Sequence, residues 1–95
     1  MDRFDAMQMF VRVVEKGSFS AVAKERGIGQ PAVSKQISAL ENELGAELIH
    51  RTSRSIALTE PGRDFYETAL HILDDLRMRL RQSAEAKPRR KASFA

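Results

Sequence analysis

Cysteine and tryptophan are absent from the 95 residues, proline occurs three times, glycine five, and aromatic residues make up only 6%. Without cysteine there are no disulfides, no thiolate nucleophile and no cysteine-ligated zinc, which fits a reducing compartment and leaves packing as the source of stability. No apolar run is long enough to span a bilayer, and no apolar stretch follows a basic amino-terminal start, so neither a membrane span nor a secretory signal is expected and the cytoplasm is the default location. A phosphate-cradling glycine loop and a nucleophile elbow are missing as well. The two histidines, His50 and His71, are isolated in sequence. His71 shares a helical spacing with Asp74 and Asp75, but one imidazole and one carboxylate do not close a metal site. The expectation is a chain without catalytic activity, cofactor or metal.

Hydrophobic residues at 42% and charged residues at 31% place it among soluble globular folds. The length suits one small domain, with no room for a ligand-binding domain beside it. The net charge of +3 suggests a nucleic-acid partner, but much of it lies at the end. Up to Ala86 there are 12 Lys and Arg against 13 Asp and Glu, a balance of −1, and Lys87, Arg89, Arg90 and Lys91 supply the other four cations. The more useful feature is local. Between Gly27 and His50 the only bases are Lys35 and His50, and the acids Glu41, Glu43 and Glu47 all fall late, leaving one end of the segment free of negative charge.

Apolar periodicity divides the chain into four helices and a short hairpin. Phe4, Met7, Phe10, Val11 and Val14 recur at helical spacing after a cap at Asp2, and Gly17 supplies the stop. Ser18 caps a second, short helix to about Arg26 that buries Val22 and Ala23. Gly27, Ile28 and Gly29 then make a tight turn, with Ile28 expected to plug the corner. A third helix starts near Gln30 with Pro31 in its first turn, carries Val33, Ile37, Leu40 and Leu44 on one face, and closes at Gly45. A short helix, a glycine-containing turn and a longer helix form a helix-turn-helix over about 19–38.

Two short strands follow, Leu48 to Arg51 and Ile56 to Leu58, joined by the polar loop Thr52 to Ser55; this hairpin, over about 48–58, reads as a wing. Thr59 caps a fourth helix, 60–86, in which Phe65, Ala69, Ile72, Leu73, Leu76 and Leu80 trace an apolar stripe. At about 1.5 Å per residue that helix spans roughly 40 Å, more than a small domain needs to cover its own core, so part of the stripe is expected to meet another chain. Periodicity is lost over 87–95, which reads as a disordered tail or the start of a linker. The fold expected is mainly α: a winged helix-turn-helix over 1–59 followed by a long dimerisation helix.

The ordered blocks Gly17-Ser-Phe-Ser-Ala-Val-Ala, Gln30-Pro-Ala-Val-Ser34, Ile37-Ser-Ala-Leu-Glu41, Leu44-Gly45, His50-Arg-Thr52 and Leu58-Thr-Glu-Pro-Gly62 resemble the amino-terminal domain of LysR-type transcriptional regulators over residues 1 to about 83. The resemblance implies sequence-specific binding to a pseudopalindromic duplex, dimerisation through the fourth helix, tetramers in longer relatives, and an effector-binding region after that helix. Ninety-five residues do not hold such a region. The expectation is therefore either the DNA-binding part of a longer protein or a natural truncation, with no small-molecule ligand of its own. Four positions depart from the family pattern. Gly29 stands where serine often caps the recognition helix, Lys35 where arginine is usual, Ile49 where phenylalanine is common beneath the wing, and Pro61 where alanine is common. Lys35 lacks the bidentate fork that reads guanine, so base readout there is weaker or limited to phosphate.

The leading turns of the third helix present Gln30, Pro31, Ser34, Lys35 and Ser38 with no carboxylate among them, so a major groove would not repel them. By resemblance Gln30, Pro31, Ser34 and Lys35 are the base-edge candidates, although Pro31 serves equally as a helix starter. Ser18 and Ser20 could donate to phosphate, and for Ser18 plain capping is an equal alternative. Arg51 and Arg54, at the base and tip of the wing, could follow the backbone or a narrowed minor groove; for Arg51 an ion pair with Glu60 stands as the alternative. The Lys87 to Lys91 cluster is either a solvated tail or a source of nonspecific attraction. A rival reading of another class is a helical module that binds protein partners, which sequence-dependent and salt-dependent DNA binding would separate from the first.

Overall fold

Each helix begins and ends on a local signal. In the computed structural model, which describes the backbone of residues 2–51 and 55–94 and side chains among these up to residue 83, α1 spans Arg3–Lys16, α2 Phe19–Arg26 and α3 Gln30–Leu44. The Asp2 carboxylate accepts from the Phe4 amide at 3.2 Å, and Ser18 Oγ from the Ala21 amide at 3.1 Å, satisfying first-turn donors of α1 and α2. Gly17, Gly27 and Gly45 close α1, α2 and α3 with φ of 68°, the left-handed geometry that a Cβ disfavours. Gly29 differs: its φ of −78° is open to any residue, so the α2–α3 turn needs one glycine and not two.

The buried sides of the helices converge on one core. Met9, Phe10 and Val13 of α1 meet Val22 of α2, Val33 and Ile37 of α3 and the connector residue Leu48, all with almost no exposed surface. The Phe10 ring packs at 5.6 Å from Phe65 and 6.4 Å from Tyr66, which ties α1 to the last helix. Two residues expected in this core lie outside it. Leu44, in the last turn of α3 beyond the Leu40 contact, is 45% exposed, and Ile28 is 37% exposed. The corner that Ile28 was expected to plug is instead closed by backbone bonds, the Gly27 and Ile28 amides donating to the Lys24 and Ala23 carbonyls.

Strands β1 (Ile49–Arg51) and β2 (Ile56–Leu58) pair antiparallel in the register Ile49 with Leu58, His50 with Ala57 and Arg51 with Ile56. The ladder starts one residue later than the sequence suggests. Leu48 donates its amide to Glu41 Oε2 at 2.8 Å, and its carbonyl accepts from the Thr59 amide at 3.0 Å. Glu41 also accepts from the Ile49 amide at 3.3 Å. A carboxylate that reads as a surface charge thus holds the root of the wing against α3.

Helix α4 runs over Glu60–Phe94. Thr59 Oγ1 caps it by accepting from the Gly62 amide at 2.9 Å. The helix continues through residues 87–94, where loss of periodicity reads as a disordered tail or the start of a linker. Apart from Pro88, Ser93 and Phe94, residues 84–94 are all strong helix formers, and helical backbone does not need an apolar stripe to persist. Among the described residues no helix is long and apolar enough to cross a membrane.

A polar clasp joins α1 to α2. Arg12 donates from Nε and Nη2 to the two carboxylate oxygens of Glu25 and from Nη1 to Glu15. The hydrogen bond from Arg12 lowers the Glu25 carboxyl below the ordinary carboxylate value, against the opposing effect of desolvation. A lowered folded-state value means a contribution fully present above the ordinary carboxylate range and lost as pH falls through the folded value. The stability difference between the parent chain and Glu25→Gln should therefore be visible at neutral pH in thermal melts and should shrink as the medium is acidified. A gap that stays constant with pH would exclude the ionised clasp as its source.

Candidate nucleic-acid interface

The buried side of α3, Val33, Ile37 and Leu40, fixes which residues face outward. Gln30, Pro31, Lys35 and Ser38 are exposed, and Ser34 is half-buried beside them. They lie at helical spacing on one side of the helix, with no acidic residue in its first turn. Pro31 occupies the first turn, where its missing N–H costs no intrahelical bond. Gly29 offers the helix no side-chain cap.

The three acids downstream are each engaged elsewhere. Glu41 turns in to the Leu48 and Ile49 amides, Glu43 pairs with Arg3 of α1 at 2.6 Å, and Glu47 faces His50 Nδ1 at 3.2 Å. None of them reaches back to the leading turns. Among the described residues no carboxylate pairs with Lys35, so that edge carries an uncompensated cation and neutral hydrogen-bonding groups. This is a surface that polyanions do not repel.

Around this edge the other sequence-derived positions fall into distinct situations. Ser18 is engaged as the α2 cap and stands 3.1 Å, Oγ to Oγ, from Ser20, which is exposed. Arg51 makes no ion pair with Glu60; its guanidinium lies over the Phe19 ring at 4.5 Å from the centroid. Arg54 lies outside the described residues. Nothing in the helical periodicity marks Phe19 or Glu41 as partners of the wing: Phe19 meets Arg51 across 32 residues, and Glu41 turns past the end of α3 to the Leu48 and Ile49 amides.

The stripe assigned to a dimer seam divides in two. Ala69 and Leu73 are buried against Val11 of α1 in the same chain, a small second patch, and Phe65 packs against both this patch and the main core. These three are core, because α1 already covers the side of α4 that carries them. Ile72 and Leu80 remain 43% and 60% exposed, with Leu76 half-buried. Met78, which the periodicity did not include, is 52% exposed. Among the described residues no group of three or more His, Cys, Asp or Glu side chains is placed to hold a metal ion.

Residues 4–63 match the model of the bacterial regulatory helix-turn-helix protein, lysR family. The chain is 42% identical over 71 residues to the probable HTH-type transcriptional regulator LtrA of Klebsiella pneumoniae, covering 75% of this chain and 23% of that protein. It is 40% identical over 76 residues to the HTH-type transcriptional activator AaeR of Escherichia coli strain K12, covering 80% and 25%. The chain thus spans about a quarter of the length of these relatives. Among solved structures, the DNA-binding domain of BenM in complex with catB site 1 DNA superposes with a TM-score of 0.84 at 34% identity, over 92% of this chain and 96% of that one. Full-length CbnR complexed with its target DNA superposes at 0.77 and 37% identity, over 90% and 29%. The helix-turn-helix, the two-stranded wing and the long final helix accordingly have one explanation: the chain belongs to the lysR family of bacterial regulatory helix-turn-helix proteins.

Proposed function

We propose that this chain is a noncatalytic module that reads duplex DNA as a two-fold homodimer and serves transcriptional regulation. The observation that carries the reading is the carboxylate-free outer edge of α3, with Glu41, Glu43 and Glu47 engaged away from it. The solved complexes of BenM and CbnR with DNA, on the same fold, support it.

In this reading α3 enters the major groove. The Gln30 amide matches adenine N6 and N7, Lys35 reaches guanine acceptors or phosphate, Ser34 and Ser38 add single hydrogen bonds, and Pro31 packs against a thymine methyl. Ser20 and Arg51 meet the sugar-phosphate backbone. Gln30→Ala should relax preference at one base position by about 1–3 kcal/mol. Selection of bound sequences from random duplexes reads this directly. An equal loss on every sequence would remove the base-reading role from Gln30.

The homodimer rests on the part of α4 that its own chain leaves uncovered. Ile72, Leu76 and Leu80 place large, partly exposed apolar side chains on one side of the helix. Pairing two copies there would set the recognition helices one DNA turn apart, about 34 Å, or a multiple of it. Leu80→Glu combined with Ile72→Glu should give monomers in sedimentation with the fold intact, since neither side chain belongs to the core. An unchanged sedimenting mass would remove the seam from α4.

A further inference from the structure

Arg51 sits at the end of β1 with its guanidinium stacked on the ring of Phe19, the first residue of α2. Phe19 is only 7% exposed, so the ring itself is fixed by the core that Met9, Phe10 and Val22 also build. Arg51 is exposed, and among the described residues no carboxylate or hydrogen-bond acceptor engages it. A guanidinium held over an aromatic face by the ring's quadrupole leaves the N–H donors that do not point at the ring available to another acceptor. It is also held beside the first turn of a helix, where the local field is already positive and a cation gains nothing from the helix dipole. An arginine kept in such a place, without an acid to neutralise it, is arranged for an anion from outside the chain.

We propose that Phe19 is a positioning residue: its ring orients the Arg51 guanidinium for a phosphate of the DNA backbone and couples the wing to the helix-turn-helix. The proposal rests on the reading that this chain binds duplex DNA. Its physical content is that Arg51 contributes through a pre-set orientation and not only through its charge. A free arginine loses side-chain entropy on binding, and the stack removes part of that loss in advance.

The test uses the 95-residue chain and mixed-sequence duplex DNA over a series of salt concentrations. Arg51→Ala should weaken binding and make the slope of log affinity against log salt shallower by roughly 0.9, the value of one phosphate contact. Phe19→Leu, which keeps an apolar side chain but lacks a π face, should weaken binding about two- to fivefold in the parent and not at all in the Arg51→Ala background. Phe19→Tyr should bind as the parent does. Because Phe19→Leu touches the core, a second readout needs no substitution: the Arg51 δ-methylene protons of the parent chain should resonate upfield under the Phe19 ring current. Unshifted δ protons would overturn the stack in solution. Equal weakening by Phe19→Leu with and without Arg51 would overturn the positioning role while leaving DNA binding intact. Parent-like binding by Arg51→Ala would overturn the phosphate contact itself.

Discussion

Gly62→Ala should destabilise the chain by about 3 kcal/mol, the upper end of what overpacking costs and a large fraction of a small domain's total stability. A Cβ built on Gly62 would fall against the Leu48 carbonyl oxygen and lie 2.8 Å from the carbonyl carbon. The obstacle is backbone, and that backbone is held from three sides. The Leu48 amide is bonded to Glu41, its carbonyl accepts from Thr59, and its side chain is 1% exposed in the core. No rotamer change relieves the overlap; the root of the wing or the first turn of α4 must move. Thermal denaturation should show a midpoint lower by on the order of 15 °C. Pro61→Ala, one residue earlier and exposed, should change the midpoint only slightly. A Gly62→Ala chain as stable as the parent would show that α4 and the wing do not meet as closely as described.

Lys35→Glu should reduce affinity for operator DNA more than about 100-fold while leaving the melting temperature near that of the parent. The side chain is exposed on α3, and among the described residues it has no ion-pair partner, so the fold loses little by the exchange. The edge it occupies contains no other charge to compensate a new carboxylate, and a carboxylate facing phosphates within a groove is strongly disfavoured. The same exchange at Arg77, exposed on α4, alters the net charge identically and should have a far smaller effect. Comparable losses from both variants in titrations at one salt concentration would attribute the binding to overall charge and not to α3.

Much of this architecture is legible in the amino-acid order because its signals are short-range. Asp2, Ser18 and Thr59 are caps that act within three residues, and Gly17, Gly27 and Gly45 are stops that act within one turn. The outward edge of α3 follows from the burial of Val33, Ile37 and Leu40 at helical spacing, so its candidate residues were legible too. What the pattern does not reveal depends on tertiary packing. Leu44 carries the right spacing and Ile28 the corner position, but both lie where neighbouring elements cover them only in part. Ala69 and Leu73 read as part of the seam because a stripe does not say which of its residues α1 will take. Glu41 and Phe19 reveal their roles only when the wing folds back beside α3 and α2. Gly62 could be quoted as part of a motif, but its physical reason, the approach of the Leu48 backbone, is a tertiary fact.

The most direct test of the account is an amide-resolved NMR titration of the chain with the duplex recovered by selection. The largest shifts should fall on residues Gln30, Ser34, Lys35 and Ser38, with a second group at Ser20 and Arg51 and little change along the Arg12 and Glu15 side of α1. Resonances of α3 that stay fixed while saturating duplex shifts another surface, or while no surface responds at all, would contradict it.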